Sequence, residues 1–263
     1  MSGRWTNVAP LALSAELAST GPVVVGATGG SGTRVLARLL KNGGTFIGPT
    51  LNPYEDALPL GEYSDRWINS VESTTSVDPQ TTRRMCADLE AILTRDYATL
   101  PEGTRIWGWK EPRSIYLLDF YDAAMPSLKF VHFVRDGRDM AFSDNQNQLV
   151  KHGDAVLAPD GGAKKAVRSA ALWSAINTRA ADYGETQMQG RYLRLRFEDL
   201  CSAPAETARS VWAFLGLPGD PGEHAEAEVS PPDTLGRWRD ESPAVVRDIH
   251  DVAGDALARF GYV

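Results

Sequence analysis

Cysteine and the other common metal ligands are scarce in this chain. Its 263 residues include only Cys86, Cys201 and four scattered histidines. Two cysteines cannot build the disulfide framework of a small secreted scaffold, so we interpret both as small core residues. No group of cysteine and histidine has the spacing of a zinc site. The sequence therefore predicts neither a disulfide-stabilised domain nor a metal centre.

Long hydrophobic runs and an excess of positive charge are also missing. No apolar stretch approaches the ~20 residues that a membrane span requires, and the first 20 residues lack the charged-then-apolar order of a secretion signal. The formal net charge of -7 argues against a general nucleic-acid binder, which usually carries a basic surface. We therefore expect a cytoplasmic protein whose partners include neither membrane nor nucleic acid, although a local basic pocket for an anion is compatible with this charge.

What the chain does contain is a regular alternation of strand and helix patterns. Strands are predicted over residues 22–27, 105–110, 129–135 and 191–197. Helices are predicted over residues 34–42, 79–98, 113–125, 163–188, 205–217 and 242–260, and another opens near residue 137. Residues 43–63 are expected to form a functional loop, 151–163 a mobile loop and 219–233 a linker-like segment. The alternation predicts an α/β fold with a mainly parallel central sheet flanked by helices.

A glycine-rich loop, TGGSGT, joins the first strand to the first strong helix. Its candidate phosphate-binding residues are Gly29, Gly30, Ser31, Gly32 and Thr33. Glycines permit turns in which successive backbone N–H groups face one anion, and the helix N-terminus adds partial positive charge. The Walker lysine is missing, because Gly32 is followed by Thr33 and Arg34. The loop thus predicts an anion site without kinase chemistry, the alternative being a tight turn that binds nothing.

A second candidate phosphate site follows the strand at 129–135. Arg135 ends this strand, and Ser143 comes eight residues later, about two turns along a helix that begins near Gly137. An arginine fork and a hydroxyl can hold a phosphate at the carboxyl edge of a sheet, where open α/β folds bind ligands. The alternative is a salt bridge from Arg135 to Asp136 or Asp139. His132, inside the strand, is interpreted as a core histidine.

Three motifs together resemble a known family. GGSGT, VRDGRDMAFS and RFEDL, the last followed by Pro204 and FLGL, occur in the order found in sulfotransferases that use 3'-phosphoadenosine 5'-phosphosulfate (PAPS), in particular a bacterial branch. The resemblance covers about residues 22–216. It implies a single domain over 1–263 with a P-loop NTPase-like sulfotransferase fold, a nucleotide-site core at about 22–216 and a C-terminal cover at about 230–263. It also implies that the glycine loop holds the 5'-phosphosulfate and that Arg135 and Ser143 hold the 3'-phosphate.

The resemblance implies further contacts to the donor nucleotide. Phe197 aligns with an aromatic residue that contacts adenine, the alternative being a core position, and Arg237 and Trp238 lie where relatives close the site with a basic loop. Gly30 is a departure, since many relatives carry lysine or arginine immediately before the Ser-Gly of the loop. Lys110, in a Lys-x-Pro at a strand end, is the first candidate to replace that cation, and Arg34 is the second.

The reaction implied is in-line transfer of a sulfuryl group from PAPS to a hydroxyl of a small-molecule or carbohydrate acceptor. A general base is needed for the acceptor proton. The candidates are Glu111, Asp56 and Glu55, each of which is otherwise a solvated surface acid. The rival hypotheses are a P-loop small-molecule kinase and a non-catalytic nucleotide-binding protein of the same fold. The sequence leaves the oligomeric state open.

Overall fold

The central sheet has five strands, and all of its neighbouring pairs are parallel. The computed structural model describes residues 4–5, 8–159 and 162–262. The strands are β1 (Val23–Ala27), β2 (Thr45–Phe46), β3 (Ile106–Lys110), β4 (Lys129–Val134) and β5 (Tyr192–Arg196). Their order is β2-β3-β1-β4-β5, with Val25 opposite Lys110 and Ala27 opposite Phe133. The carboxyl ends of β1, β3 and β4 therefore meet at one edge of the sheet.

Helices cover both faces of this sheet. They are α1 (Ala15–Thr20), α2 (Thr33–Asn42), α3 (Leu58–Glu72), α4 (Pro79–Asp96), α5 (Leu118–Ala124), α6 (Gly137–Ala141), α7 (Asn147–Val156), α8 (Lys165–Gln187), α9 (Phe197–Ser202), α10 (Pro204–Leu215), α11 (Gly222–Glu228) and α12 (Pro243–Arg259). Along β1, Val24 packs into one hydrophobic cluster, whereas Val23 and Val25 pack into another. This alternation follows from the two-residue period of a strand, and burial on both faces explains the apolar run PVVVGA. The α/β fold expected from the sequence is confirmed.

The predicted loop at 43–63 is wrong in part, because it contains β2 and the first turns of α3. Pro59 obscures the helix pattern in the sequence, yet it lies in the first turn of α3, where its missing N–H costs nothing. The linker-like segment at 219–233 likewise contains α11.

The helix predicted to open near residue 137 is shorter than expected. It ends at Ala141, so Ser143 lies in the turn beyond α6 and not two turns along it. The side chain of Gln146 explains this end, because its Nε2 donates to the carbonyls of Met140 and Ser143 at 3.0 and 2.8 Å and satisfies backbone acceptors there.

The mobile loop predicted at 151–163 is wrong at its start, because α7 continues through Val156. Residues 160 and 161 of that prediction lie outside the described residues.

In the described parts of the chain, no helix is long and apolar enough to cross a membrane. A search of the same residues finds no group of three or more histidine, cysteine, aspartate or glutamate side chains placed to hold a metal ion.

His132 lies in the core of β4, as the sequence predicts. Its Nε2 is 2.8 Å from Oδ1 of Asn177, and its Nδ1 is 2.6 Å from the hydroxyl of Tyr192. Burial lowers the pKa of His132 to about 4, since the charged imidazolium loses its hydration. The native state therefore keeps this ring neutral at pH values where the unfolded chain already takes up a proton.

We expect His132 to make the protein less stable as the pH falls from about 6.5 towards 4. As the pH falls, His132 takes up a proton in the unfolded state at a higher pH than in the folded state. The contribution of His132 therefore lowers the free energy of unfolding by about 2 kcal/mol between pH 7 and pH 5. Urea unfolding at pH 7 and pH 5 measures it, and His132→Gln should show a smaller loss than the wild type. His250→Gln, at a half-buried position outside this network, is the matched control. An equal loss in the wild type and His132→Gln would contradict the assignment.

Candidate active site

The glycine loop between β1 and α2 adopts the geometry of an anion-binding turn. Gly30 and Gly32 have φ values of +85° and +82°, in the left-handed region that favours glycine. Gly32 is the N-cap of α2, and no described side chain caps this end of the helix. The first N–H groups of α2 are therefore available to an anion at the edge of the sheet.

Ser31 supports the loop from within. It is buried, and its hydroxyl donates to the carbonyl of Thr28 at 2.6 Å. Thr33, the first residue of α2, is also buried, whereas Arg34 is exposed. In this conformation the backbone and Arg34 are open to a ligand, while the hydroxyl of Ser31 stabilises the turn.

Arg135 is buried directly after β4, with only 4% of its surface exposed. Its Nη2 donates to the carbonyl and hydroxyl oxygens of Thr234 at 2.7 and 3.1 Å, and it is 3.4 Å from Asp139. Its guanidinium carbon lies 5.0 Å from the ring centre of Phe197. The buried Nε has no hydrogen-bond partner among the described residues. Arg135 thus forms the salt bridge to Asp139 that was the alternative to a phosphate-binding role, yet it retains an unpaired donor in a buried position.

The C-terminal loop that contains Arg237 and Trp238 docks on α6 beside Arg135. Asp139 accepts a hydrogen bond from the N–H of Gly236 at 2.8 Å, and Arg237 donates to the carbonyl of Phe142 at 3.2 Å. The guanidinium of Arg138 covers the ring of Trp238 at 3.9 Å. Burial and the nearby charge of Arg135 lower the pKa of Arg237. The loop therefore brings a second guanidinium next to the first.

The two predicted phosphate sites meet in the structure. A Cβ built on Gly30 would lie 3.1 Å from the hydroxyl oxygen of Ser143, and one built on Gly32 would overlap the ring of Phe197. Parallel strands end at the same edge of a sheet, which is why loops about a hundred residues apart in sequence come together. The glycine loop is thus a neighbour of Ser143 and, through the ring of Phe197, of Arg135.

A cleft of about 480 Å³ opens on the other side of the glycine loop. Lys110, 1% exposed, ends β3 at its floor, and its Nζ donates to the carboxylate of Asp56 and to the carbonyl of Tyr54. Burial lowers the pKa of Lys110, and Asp56 opposes that effect. Asp56 also accepts from the amide of Asn52 at 2.9 Å, so both of its carboxylate oxygens have partners.

Glu111 is buried beside Lys110 and faces the same cleft. Its Oε1 accepts from the side-chain Nε and the backbone N–H of Arg113, at 2.5 and 3.3 Å. No described group donates to its Oε2. Burial raises the pKa of Glu111, and the charge of Arg113 opposes this. A carboxylate with one free oxygen and a raised pKa can accept a proton.

Glu55 lies outside the cleft, whereas Arg34 lines it. Glu55 has a φ of +65° and forms ion pairs with Lys41 and Arg38 on α2, at 2.8 and 4.0 Å, outside the lining of the cleft. Arg34 lines the cleft, with its guanidinium carbon 6.0 Å from the ring centre of Tyr54, and no described carboxylate pairs with it. The structure therefore brings Asp56, Lys110, Glu111 and Arg34 together and separates Glu55 from them.

A sequence model described as the sulfotransferase family matches residues 22–221. The chain belongs to the sulfotransferase family. This confirms the resemblance drawn from the three motifs and identifies the protein as a sulfotransferase enzyme, against the kinase and non-catalytic hypotheses. A comparison with curated protein sequences found no significant match.

Solved structures share the fold of this sulfotransferase at low sequence identity. The sulfotransferase domain of an olefin synthase from Synechococcus is 19% identical, with a TM-score of 0.51 over 90% of this chain and 95% of that one. The sulfotransferase domain from the curacin biosynthetic pathway is 16% identical, with a TM-score of 0.53 over 93% and 98%. A sulfotransferase of Mycobacterium tuberculosis is 16% identical, with a TM-score of 0.53 over 91% and 78%. These similarities confirm the single α/β domain.

Several residues that line the cleft of this sulfotransferase, or hold its lining in place, were not predicted from the sequence. Arg113 holds Glu111 and also pairs with Asp65, which accepts from Lys151 at 2.8 Å. Arg113 carried a signal, since it directly follows the Lys-x-Pro at the end of β3. Asn147 also carried a signal, since it lies in the polar segment DNQNQL, whereas Lys151 carried none, because the sequence pattern did not reveal that α7 continues through it.

Gly32→Ala is expected to destabilise this sulfotransferase more than Gly103→Ala. Both glycines have a φ of +82°, so each alanine carries left-handed strain of about 1–2 kcal/mol. The methyl group at position 32 would also overlap Phe197, which adds roughly 1–3 kcal/mol, whereas nothing lies within 4 Å of one at position 103. Urea unfolding compares the two. Equal losses would contradict the packing of Gly32 against Phe197.

Proposed function

We propose that the protein transfers a sulfuryl group from PAPS to a hydroxyl of a small-molecule or carbohydrate acceptor. The observation that carries this proposal is the meeting of the glycine loop with Arg135 and Ser143, directly beside a cleft that contains Glu111. Two anion sites at one sheet edge suit a donor with a 5'-phosphosulfate and a separate 3'-phosphate. PAPS supplies the activated sulfuryl group, and the residues of the protein bind and orient it and take up the acceptor proton.

The chemistry of the donor set supports this fit. The uncapped N–H groups of α2, together with Arg34, face the position proposed for the phosphosulfate. The unpaired Nε of Arg135, the hydroxyl of Ser143 and the guanidinium of Arg237 are the donors proposed for the 3'-phosphate. Phe197 is 4% exposed and lies beneath Arg135 and Gly32, so we give it a positioning role. Contacts of adenine with Phe197 and Trp238 stay predictions.

Arg34 is our first candidate to replace the cation that many relatives carry at the position of Gly30. The sulfur–oxygen bond to the nucleotide breaks during transfer, and negative charge grows on the bridging oxygen, where a fixed cation stabilises it. Lys110 is buried against Asp56, whereas Arg34 has no described carboxylate partner. Lys110 then holds Asp56 in place and adds positive charge at the floor of the cleft.

Glu111 is the general base in this proposal. The acceptor oxygen forms its bond to sulfur as its proton passes to Oε2 of Glu111, which no described group occupies. Asp56 is the weaker candidate, because Lys110 and Asn52 bind its two oxygens. Arg113 keeps Glu111 oriented towards the cleft through Oε1. The bond from sulfur to the bridging oxygen breaks, and the nucleotide leaves as 3',5'-phosphoadenosine (PAP). The acceptor proton stays on Glu111 until it passes to solvent.

Calorimetric titration with PAP tests the proposed donor. We expect PAP to bind to the purified protein, and adenosine 5'-phosphate, which lacks the 3'-phosphate, to bind more weakly. Absence of PAP binding at millimolar ligand would overturn the proposal. PAP binding without sulfuryl transfer to any hydroxyl of a broad acceptor panel would overturn the proposed reaction while leaving the nucleotide site intact.

A further inference from the structure

The acceptor side of the cleft lacks large apolar side chains in its described lining. Its residues come from the segments 52–56, 110–113 and 145–151, although not every residue of these segments lines the cleft. Those that do include no valine, leucine, isoleucine, methionine, phenylalanine or tryptophan. A site for a steroid or a long-chain alcohol would bury the ligand against such side chains, because most of the binding energy of an apolar ligand comes from that burial. The lining therefore disfavours apolar acceptors.

Two side-chain amides, of Asn145 and Asn147, are among the hydrogen-bonding groups of this lining that keep unpaired atoms. Asn147 is exposed, and no described group bonds to its side chain, while Asn145 accepts at Oδ1 from the N–H of Asn147 and leaves its Nδ2 unpaired. An amide offers both donors and an acceptor, and so does each hydroxyl of a sugar. Two neighbouring amides can thus bind two adjacent hydroxyls of one sugar. A ligand with a single hydroxyl can bind only one of them.

One aromatic ring stands over the same cleft. Tyr54 is 64% exposed, and its side chain makes no hydrogen bond to a described residue. Its backbone is fixed, because its carbonyl accepts from Lys110 at 2.6 Å and its N–H donates to Asn52 at 2.8 Å. The guanidinium carbon of Arg34 lies 6.0 Å from the centre of this ring, and most of the side chain stays exposed. Such a ring is a flat surface with a polar tip, and it suits the C–H face of a sugar ring.

From these observations we infer that the acceptor is a saccharide, which stacks on Tyr54 and is oriented by Asn145 and Asn147. The inference rests on the proposed function, since it names the substrate class of the same site. The acceptor hydroxyl then lies between Glu111 and the glycine loop, and the remaining hydroxyls meet the amides. Tyr54, Asn145 and Asn147 are specificity-determining residues and take no part in the proton transfer.

A panel of acceptors tests this inference with PAPS as donor and mass spectrometry as the readout. The panel contains methyl glucoside, methyl galactoside, N-acetylglucosamine, cellobiose, 4-nitrophenol and 1-octanol. We expect sulfated saccharides to form faster than the sulfate esters of the phenol and the alcohol. PAP binding with no transfer to any saccharide overturns the inference, whatever happens to the phenol. Failure of PAP to bind, or PAP binding with no transfer to any member of the panel, overturns the proposed function as well. Transfer to the phenol or the alcohol but to no saccharide overturns the inference alone, so the two failures are distinguishable.

Variants of Tyr54 sharpen the test. Tyr54→Ala should raise KM for the saccharide about tenfold, which corresponds to about 1.4 kcal/mol, while kcat and the affinity for PAP stay within a factor of two. Tyr54→Phe keeps the ring and should stay close to the wild type. An unchanged KM in Tyr54→Ala overturns the stacking role, and an equal loss in both variants assigns the effect to the hydroxyl and overturns it as well.

Discussion

Arg135→Ala is expected to weaken PAP binding by at least a hundredfold, or about 2.7 kcal/mol. The guanidinium is buried after β4, its Nε has no partner in the described part of the chain, and the C-terminal loop adds the charge of Arg237 beside it. A charged donor in such a site forms stronger bonds to phosphate than it does in water. Calorimetry with PAP measures the loss directly.

Two variants make this prediction discriminating. Arg135→Lys keeps the charge but not the planar fork, so its affinity for PAP should fall between those of the wild type and the alanine variant. Arg196→Ala, at the end of the neighbouring strand β5, is the matched control, because Arg196 is half-buried and pairs with Asp199. Thermal unfolding shows whether each variant is folded. A folded Arg135→Ala with wild-type affinity would remove Arg135 from the nucleotide site.

Glu111→Gln should lower kcat about 100- to 10,000-fold while leaving the affinity for PAP nearly unchanged, because general-base catalysis contributes a factor of that size. Glutamine keeps the shape of Glu111 and an oxygen that can accept from Arg113, so the cleft retains its geometry. A fall in kcat with unchanged affinity for PAP indicates loss of the general base, whereas a fall in both indicates a disrupted nucleotide site. Asp56→Asn is the matched variant, and a larger loss of kcat there than in Glu111→Gln would transfer the role to Asp56.

The pH dependence gives an independent readout of Glu111. Burial raises its pKa, so the carboxylate ionises at a higher pH than an ordinary glutamate. A base acts only when deprotonated, and kcat should therefore rise with pH through this raised pKa. Glu111→Gln should lack that limb of the profile, whereas Tyr54→Phe should keep it. A limb that persists in Glu111→Gln would show that another group takes the proton.

The strands and the motifs at their ends were predictable from the sequence because their signals are local. PVVVGA before GGSGT and KFVHFV before Arg135 are apolar runs that stop at chemically distinctive residues. The elements that sequence reasoning missed have weak local signals. α3 contains Pro59 and Gly61, and α7 follows a turn that is defined by the side chain of Gln146 reaching back to two carbonyls.

Glu55 and Asp56 show where prediction from the sequence ends. The two acids are adjacent and both were candidates for the general base, yet Glu55 turns towards Lys41 on α2 and Asp56 binds Lys110 at the end of β3. The choice depends on the left-handed φ of Glu55 and on cations that lie 14 and 54 residues away in sequence. No periodicity in the chain encodes such a contact.

The sequence by itself determined the α/β fold, the parallel sheet and the family to which the enzyme belongs, because apolar periodicity and motif order are properties of the chain. Only the tertiary structure decided that Ser143 meets Gly30, that the loop around Arg237 docks beside Arg135, and that Glu111 retains a free oxygen. The physical reason is that side-chain direction, burial and pairing arise from contacts between distant segments. The scarcity of metal ligands argued against a metal centre, and the negative net charge argued against a general nucleic-acid binder. The fold places a few cations, among them Arg135 and Arg34, at one edge of the sheet.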